Sequence, residues 1–256
     1  MGNFKSLLNN YSIYPYQRRL MLILLLVVLQ MPARATSPHA TKILVEYISL
    51  FYPPSATFLS DLKKLQHEIG HLQRKKPKYK DEVQFLQYMF YRIHRKFLKN
   101  YSLYSPMPQL LEKGKYDCIS GSALYALCCK LLNIAYEIRE TPYHIYVLAY
   151  TQAGQEILIE TTDPMFGCIT DPVTIQKYRA TINAEAEKDG QHHPHHHKID
   201  NAITLSQLAG LQYFNVAVYY FNQKDVAKAM VYLDKATLHY NSLRMREFRN
   251  LLLSSS

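Results

Sequence analysis

The sequence has no apolar run long enough to span a membrane comfortably. Its longest run covers about residues 20–31, whereas a transmembrane helix needs about 20 apolar residues. The run follows Arg18-Arg19 and precedes Ala33-Arg34-Ala35, which fits a small-x-small cleavage site. We therefore expect residues 1–35 to be a signal peptide and the protein to be periplasmic or secreted. An uncleaved anchor is the alternative, and only then would the protein contact a membrane.

Acidic residues are in the minority, with 20 Asp and Glu against 30 Lys and Arg, and the formal net charge is +10. A basic excess can serve nucleic-acid binding, but the sequence has no motif of a nucleic-acid-binding domain. The basic segments at 74–80 and 95–99 adjoin apolar stripes with helical spacing, so we interpret them as solvated helix faces. Nucleic acid is therefore not an expected partner.

Cysteine is scarce: the chain has only four cysteines, Cys118, Cys128, Cys129 and Cys168. A bridge between the neighbours Cys128 and Cys129 would be strained. If Cys118 has to stay a free thiol, three cysteines remain and they cannot all pair. We expect no obligatory disulfide framework, and a bridge from Cys168 to Cys128 or Cys129 is the exception left open.

Cys118, His144 and Asp163 are the residues that indicate chemistry. Cys118 opens a helix-like run and follows Asp117, a residue type preferred at the N-cap. A helix N-terminus favours an anion, and a thiol attacks as its thiolate. His144 begins a strand-like run, and Asp163 ends the next one. The order is therefore nucleophile, base and orienting acid.

The spacing of the two strand-like runs predicts which acid faces His144. A turn centred between Ala153 and Gly154 places His144 directly opposite Asp163. Directly opposed residues share a face, with their Cβ atoms about 4.5–5.5 Å apart. Glu160 then faces the other side of the sheet and is the poorer partner. A loop with an odd number of residues would shift this register.

The segments 114–150 and 157–164 resemble the transglutaminase-like superfamily, which is related to papain-like thiol enzymes. The resemblance covers roughly residues 85–170. It implies that a helix bearing the cysteine packs on a short antiparallel sheet whose adjacent strands carry the histidine and the aspartate. It also implies that Cys118 is the nucleophile, His144 the base and Asp163 its orienter, and that the substrate is a peptide or protein.

The periodicity of apolar residues predicts an α+β domain, which we place at 36–172. Helices before a short antiparallel sheet are typical of that class. Residues 173–203 follow as a linker whose centre contains five histidines, and we interpret it as a solvated loop rather than a metal site. The expected helices and strands cover about 56–73, 80–100 and 118–132, and about 135–141, 144–151 and 156–162.

Residues 204–256 return to helical spacing and resemble a single tetratricopeptide repeat. One such repeat cannot bury its own face, so it has to dock on the preceding domain or pair with another chain. A plain helical hairpin is the alternative, and only the repeat indicates a protein partner. The small and large repeat positions are occupied by Tyr213, Val216, Ala217, Tyr220, Ala229, Leu233 and Ala236.

A competing motif is His67-Glu68-Ile69-Gly70-His71 on the first of these helices. This spacing puts two imidazoles on one helix face, where they can bind zinc while the glutamate serves as general base. The preceding turn is charged, and nothing singles out a downstream acid such as Glu82 as the third ligand. We therefore rank a zinc metallopeptidase below thiol chemistry.

The sequence supports two hypotheses about function. The first is an exported thiol enzyme that acts on amide bonds of peptides or proteins, by hydrolysis or acyl transfer and without a cofactor. The second is an inactive transglutaminase-like scaffold that binds protein partners through its helical repeat. It stays open because the residues flanking Cys118 and His144 differ from those usual in the family.

Overall fold

The computed structural model describes residues 38–51, 57–190 and 200–254. The expected signal peptide and the five clustered histidines lie outside the described residues. The helices are α1 (Pro38–Phe51), α2 (Phe58–Lys75), α3 (Glu82–Phe97), α4 (Met107–Lys113), α5 (Cys118–Leu131), α6 (Pro172–Gly190), α7 (Leu205–Asn222), α8 (Val226–His239) and α9 (Leu243–Ser254). The strands are β1 (Asn100–Tyr101), β2 (Lys115–Tyr116), β3 (Ala135–Glu140), β4 (Ile145–Tyr150), β5 (Glu156–Ile159), β6 (Cys168–Ile169) and β7 (Asn201–Ile203).

The chain combines helices with an antiparallel sheet, so the α+β class is confirmed. The main sheet has the strand order β6-β5-β4-β3-β7, and all its neighbours are antiparallel. Within 38–51, 57–190 and 200–254, no helix combines the length and the apolar character that a membrane crossing requires.

Helices α2 and α3 form where the sequence predicts helices, because each carries an apolar stripe that it buries. In α3 the cap is Asp81, whose side chain accepts a hydrogen bond from the backbone N–H of Val83 at 2.8 Å. The two stripes enter one core. The buried apolar residues of the two stripes are Phe58, Leu62, Leu65, Ile69 and Leu72 of α2, and Phe85, Leu86, Met89, Phe90, Ile93 and Phe97 of α3.

Helix α5 is the centre of the core. Its sequence is apolar or small on every side, which is typical of a helix surrounded by protein, and all its residues are buried except Cys118 and Lys130. It packs against β3 and β4 of the sheet and against α1, α4 and α7. Cys118, its first residue, is therefore held where a rigid helix reaches the surface.

The β4–β5 hairpin has a different register from the one that the sequence predicts. Thr151 pairs with Gln155 and Val147 with Ile159, so the loop has three residues rather than an even number. Gly154 at its end has a φ of +81°, the left-handed conformation that closes a three-residue hairpin loop. Extended to the strand ends, this register puts Thr162 rather than Asp163 opposite His144.

Residues 172–203 are more regular than the sequence predicts. Instead of a loose connection, Pro172–Gly190 forms α6 and Asn201–Ile203 forms β7, which pairs with β3. Asp171 starts the helix, because its carboxylate accepts a hydrogen bond from the backbone N–H of Thr174 at 2.8 Å, and proline is well tolerated in the first turn. The loop interpretation is therefore wrong for this part of the linker.

The C-terminal helices form a hairpin that docks on the rest of the molecule. Helix α7 packs along α8 and contacts α1 and α5. At Gly210 the two helices approach so closely that an added Cβ would lie 2.7 Å from the Cβ of Tyr240. Gln212 is buried and bridges the units, since it accepts from the Met107 backbone N–H at 2.8 Å and donates to the Phe51 carbonyl at 2.9 Å.

Candidate active site

Cys118 lies in the first turn of α5, directly after the N-cap residue. The Asp117 carboxylate accepts a hydrogen bond from the backbone N–H of Ser120 at 2.8 Å, and the Ser120 hydroxyl accepts one from the backbone N–H of Asp117 at 3.0 Å. This reciprocal capping box fixes the start of the helix. Burial raises the pKa of Asp117 above its ordinary value, and the hydrogen bonds with Ser120 and Asn215 offset only part of this rise. The Cys118 side chain is partly exposed, so a reactant can reach it.

His144 stands at the end of a tight turn between β3 and β4. The Thr141 hydroxyl accepts from the His144 backbone N–H at 3.0 Å, and it donates to the His144 carbonyl at 2.9 Å. The backbone N–H of Thr141 donates to the same carbonyl at 2.9 Å. These three bonds fix the backbone of His144, and Cys118 is near enough to its ring to raise the pKa of the imidazole.

Glu160 is the acid that contacts His144. Its Oε2 lies 2.5 Å from His144 Nε2, and its Oε1 accepts from the backbone N–H of Thr162 at 2.8 Å and from the Thr162 hydroxyl at 2.6 Å. The Tyr178 hydroxyl donates to Oε2 as well. The carboxylate is only 6% exposed, and these four donors compensate its loss of water.

Charge in the site favours a protonated imidazole beside the Glu160 carboxylate. Burial alone lowers the pKa of His144, but hydrogen bonds and charge from Cys118 and Glu160 raise it to about 10. Burial raises the pKa of Glu160, and the contacts with His144, Thr162 and Tyr178 outweigh burial and hold that pKa below its ordinary value. Burial and the neighbouring carboxylate raise the pKa of Tyr178, so its hydroxyl remains a donor.

Asp163 does not contact His144, so the sequence-based assignment of this residue as the orienter is not what the structure shows. Its Oδ1 accepts from the backbone N–H groups of Met165 and Phe166 at 3.0 and 2.9 Å. The Gly167 N–H donates to the Asp163 carbonyl at 3.1 Å. Asp163 therefore shapes the turn between β5 and β6. The three-residue loop causes the difference, because a one-residue change of register reverses which strand residues face His144.

Tyr178 is not among the site residues predicted from the sequence, because it lies in the segment interpreted as a loop. A signal for the helix was present. Asp171-Pro172 has the composition of a helix start, and Ile175, Tyr178 and Ile182 follow at helical spacing. Ile175 is buried and the Tyr178 ring packs edge-on against Tyr146, with centroids 5.6 Å apart.

Helix α5 and the segment just after β5 approach closely because Gly121 has no side chain. A Cβ at this position would lie 2.8 Å from the Thr161 hydroxyl oxygen and 3.0 Å from its Cβ. The Ser122 hydroxyl, one residue further, donates to the Ile145 carbonyl at 3.2 Å. These two contacts set the separation between the helix that carries Cys118 and the strands next to His144 and Glu160.

A cleft of about 400 Å³ adjoins Glu160 and Tyr178, a volume in the usual range for ligand pockets. Cys118 and His144 do not line it. Its rim carries exposed apolar side chains, of which Phe166 is 73% exposed. The full lining consists of Tyr91, Glu160, Asp163, Met165, Phe166, Gly167, Cys168, Ile169, Thr170, Asp171, Thr174 and Tyr178.

The His67-Glu68-Ile69-Gly70-His71 motif has a different arrangement from a zinc site. Glu68 is fully buried and forms ion pairs with Arg92 and Lys96. His71 Nε2 lies 2.8 Å from the Tyr88 hydroxyl, and His67 is exposed. Across the described part of the chain, no three His, Cys, Asp or Glu side chains converge as metal ligands.

Tyr178→Phe is expected to lower the free energy of unfolding by about 1–2 kcal/mol, since it removes one hydrogen bond to a buried carboxylate and keeps the ring. Urea unfolding at neutral pH measures this change. Tyr219→Phe is the matched control, because Tyr219 is exposed and should lose almost nothing. Equal losses of unfolding free energy in the two variants would show that the hydrogen bond from Tyr178 to Glu160 does not stabilise the fold.

Comparisons of the chain with family models, with curated proteins and with solved structures give no match. The geometry around Cys118 is therefore the basis for an argument about function.

Proposed function

We propose that the protein is a thiol enzyme with a transglutaminase-like core, in which Cys118, His144 and Glu160 act on amide bonds of peptides or proteins. The observation that carries this proposal is the arrangement of the three side chains. The imidazole has a carboxylate oxygen 2.5 Å from its Nε2, and Cys118 at the start of α5 is near enough to raise the pKa of the ring. Since Nε2 faces Glu160, Nδ1 is the ring nitrogen left to serve the thiol.

The chemistry follows from these positions. With the Cys118 proton already on the His144 ring, the sulfur attacks the amide carbonyl carbon. The carbonyl oxygen becomes an oxyanion close to the backbone N–H of Cys118, which has no acceptor within its own helix. The C–N bond then breaks, the amine leaves with a proton from His144, and a thioester remains on the sulfur.

The second step releases the acyl group. Water loses a proton to His144 and attacks the thioester carbon, which frees a carboxylic acid and restores the thiol. An amine in place of water would give a transamidation. We favour hydrolysis, because nothing among the described residues marks a separate amine-binding site. The cleft beside Glu160 offers room for a part of the substrate remote from the scissile bond.

A second candidate function is protein binding through the C-terminal helices. The observation that favours it is that five apolar side chains of α8 and α9 are exposed, since exposed apolar surface can mark a site of protein interaction. The proposal of a tetratricopeptide-like interaction hairpin, and that of export through the N-terminal segment, rest on the sequence. The exposed residues are Val231, Leu238, Leu243, Leu251 and Leu253.

Alkylation by iodoacetamide, followed by peptide mass spectrometry, tests the enzyme proposal. We expect Cys118 in folded protein to react at least about tenfold faster at neutral pH than Cys168, since a paired thiolate is the reactive species. Cys168 is the matched reference, because it is also partly exposed and burial raises its pKa to about 12. His144→Ala should remove the difference. Equal rates at Cys118 and Cys168 in the unaltered protein would contradict catalysis and leave the binding function.

A further inference from the structure

The turn that presents His144 is held from outside by the C-terminal helices. The turn comprises Thr141, Pro142, Tyr143 and His144, and it joins β3 to β4. Two of its carbonyl oxygens point to one guanidinium group. Arg244 in α9 lies 3.4 Å from the Thr141 oxygen through Nη2 and 3.5 Å from the Pro142 oxygen through Nη1.

The same guanidinium group neutralises a buried acid at the base of the turn. Nη2 of Arg244 lies 3.0 Å from Oε1 of Glu140, which is only 1% exposed. Oε2 of Glu140 accepts a hydrogen bond from the Tyr240 hydroxyl at 2.7 Å. A buried carboxylate without its cation is strongly destabilising, so the contact keeps Arg244 in place.

Arg244 is itself fixed by packing. Met245 and Leu252 of α9 are fully buried, and α9 packs on α8. Helix α8 in turn packs along α7, which contacts α5. The path from the core to the His144 turn is therefore a series of packed elements.

We propose that Arg244 is a positioning residue for His144, and that the C-terminal helices are a structural part of the active site. This inference rests on the proposed function for its catalytic meaning. Arginine suits the role because its planar fork can bridge Glu140 and two carbonyl oxygens at once. Lysine can supply the charge for Glu140, but one ammonium group cannot also hold the Thr141 and Pro142 carbonyl oxygens in the same geometry.

The test compares Arg244→Lys with Arg246→Lys. Arg246 lies on the same helix and is exposed, and its Nη1 lies 3.5 Å from the Asn241 carbonyl oxygen. We expect Arg244→Lys to slow alkylation of Cys118 by iodoacetamide on the order of tenfold, since small displacements of a reacting group are costly. The pKa of His144, followed by NMR of the imidazole, should fall toward its ordinary value. Arg246→Lys should change neither quantity.

A second variant keeps the test valid if the lysine variant folds poorly. Glu140→Gln/Arg244→Met removes both charges of the pair together, which avoids an unpaired buried carboxylate. It should show the same slower alkylation and the same fall in the His144 pKa.

The outcomes separate the two proposals. Slow alkylation of Cys118 in the unaltered protein would count against the enzyme, whereas a His144 pKa that falls in Arg244→Lys would still support positioning. The inference is overturned if Arg244→Lys leaves both quantities unchanged, or if Arg246→Lys changes them equally.

Discussion

Replacing Glu160 by glutamine is expected to slow the alkylation of Cys118 by about 100-fold, the lower end of what a positioned proton acceptor contributes. Thr162 offers two donors to one oxygen of the side chain, so the glutamine carbonyl oxygen should settle there. Its NH₂ group then faces His144 Nε2 and donates to it. The ring proton is forced onto Nδ1, the nitrogen that has to accept the thiol proton, and a wrong tautomer of this kind disables a catalytic imidazole.

Asp163→Asn is the matched control for this result, since it makes the same chemical change three residues away. The Asp163 carboxylate serves the backbone N–H groups of Met165 and Phe166, and an asparagine oxygen can accept the same bonds. We expect the alkylation rate to stay within about twofold of the unaltered protein, because no contact with His144 is lost. If Asp163→Asn slowed Cys118 as much as Glu160→Gln, Asp163 would be the orienting acid after all.

The pH dependence of unfolding gives an independent check on Glu160. Its folded pKa is lowered from an ordinary value of 4.5, so its stabilisation is present above that pH and is lost as the pH falls. The pKa of His144 is raised from 6.5 to about 10, so its stabilisation is complete below pH 6.5 and is lost as the pH rises through about 10. Urea unfolding should therefore show the largest difference between the unaltered protein and Glu160→Gln between pH 4.5 and 6.5.

The sequence indicated the elements of the site better than their register. Cys118 at a capped helix start and His144 at a strand start depend on local composition and periodicity, which a sequence shows directly. The choice between Glu160 and Asp163 depends on whether the hairpin loop has an odd or even number of residues. Ala-Gly at its centre does not specify that number, since the left-handed conformation of Gly154 suits several loop types.

Contacts from distant segments were the least predictable part of the site. Tyr178 reaches Glu160 from α6, and Arg244 reaches the His144 turn from α9. Tyr178 is 18 residues from Glu160, and Arg244 is 103 residues from Thr141. Helical spacing marks their helices, but it does not show which buried carboxylate each side chain meets. Such pairings require the tertiary arrangement.

Glu68→Gln is expected to have the largest effect on stability, a loss of about 3 kcal/mol. Glu68 is fully buried and forms ion pairs with Arg92 and Lys96. The Nη2 atom of Arg92 also donates a hydrogen bond to Glu68 Oε2 at 3.2 Å. Glutamine keeps the volume of the side chain but removes the negative charge that pairs with Arg92 and Lys96. The loss stays below the upper limit for buried pairs, because the side chains of Arg92 and Lys96 are partly exposed and can turn toward water. Urea unfolding at neutral pH measures it, and Glu46→Gln on the exposed face of α1 is the control.

The same variant separates a structural glutamate from the general base of a zinc peptidase. A general base is not a metal ligand, so the zinc interpretation expects Glu68→Gln to keep its stability, with zinc bound by His67 and His71. The ion-pair interpretation expects the opposite result, and it adds a pH signature. Burial raises the pKa of Glu68, but Arg92 and Lys96 lower it below 4.5. Its stabilisation is thus present above pH 4.5, and the difference from Glu68→Gln should shrink as the solution becomes more acidic. A stable variant that retains stoichiometric zinc would restore the metallopeptidase hypothesis.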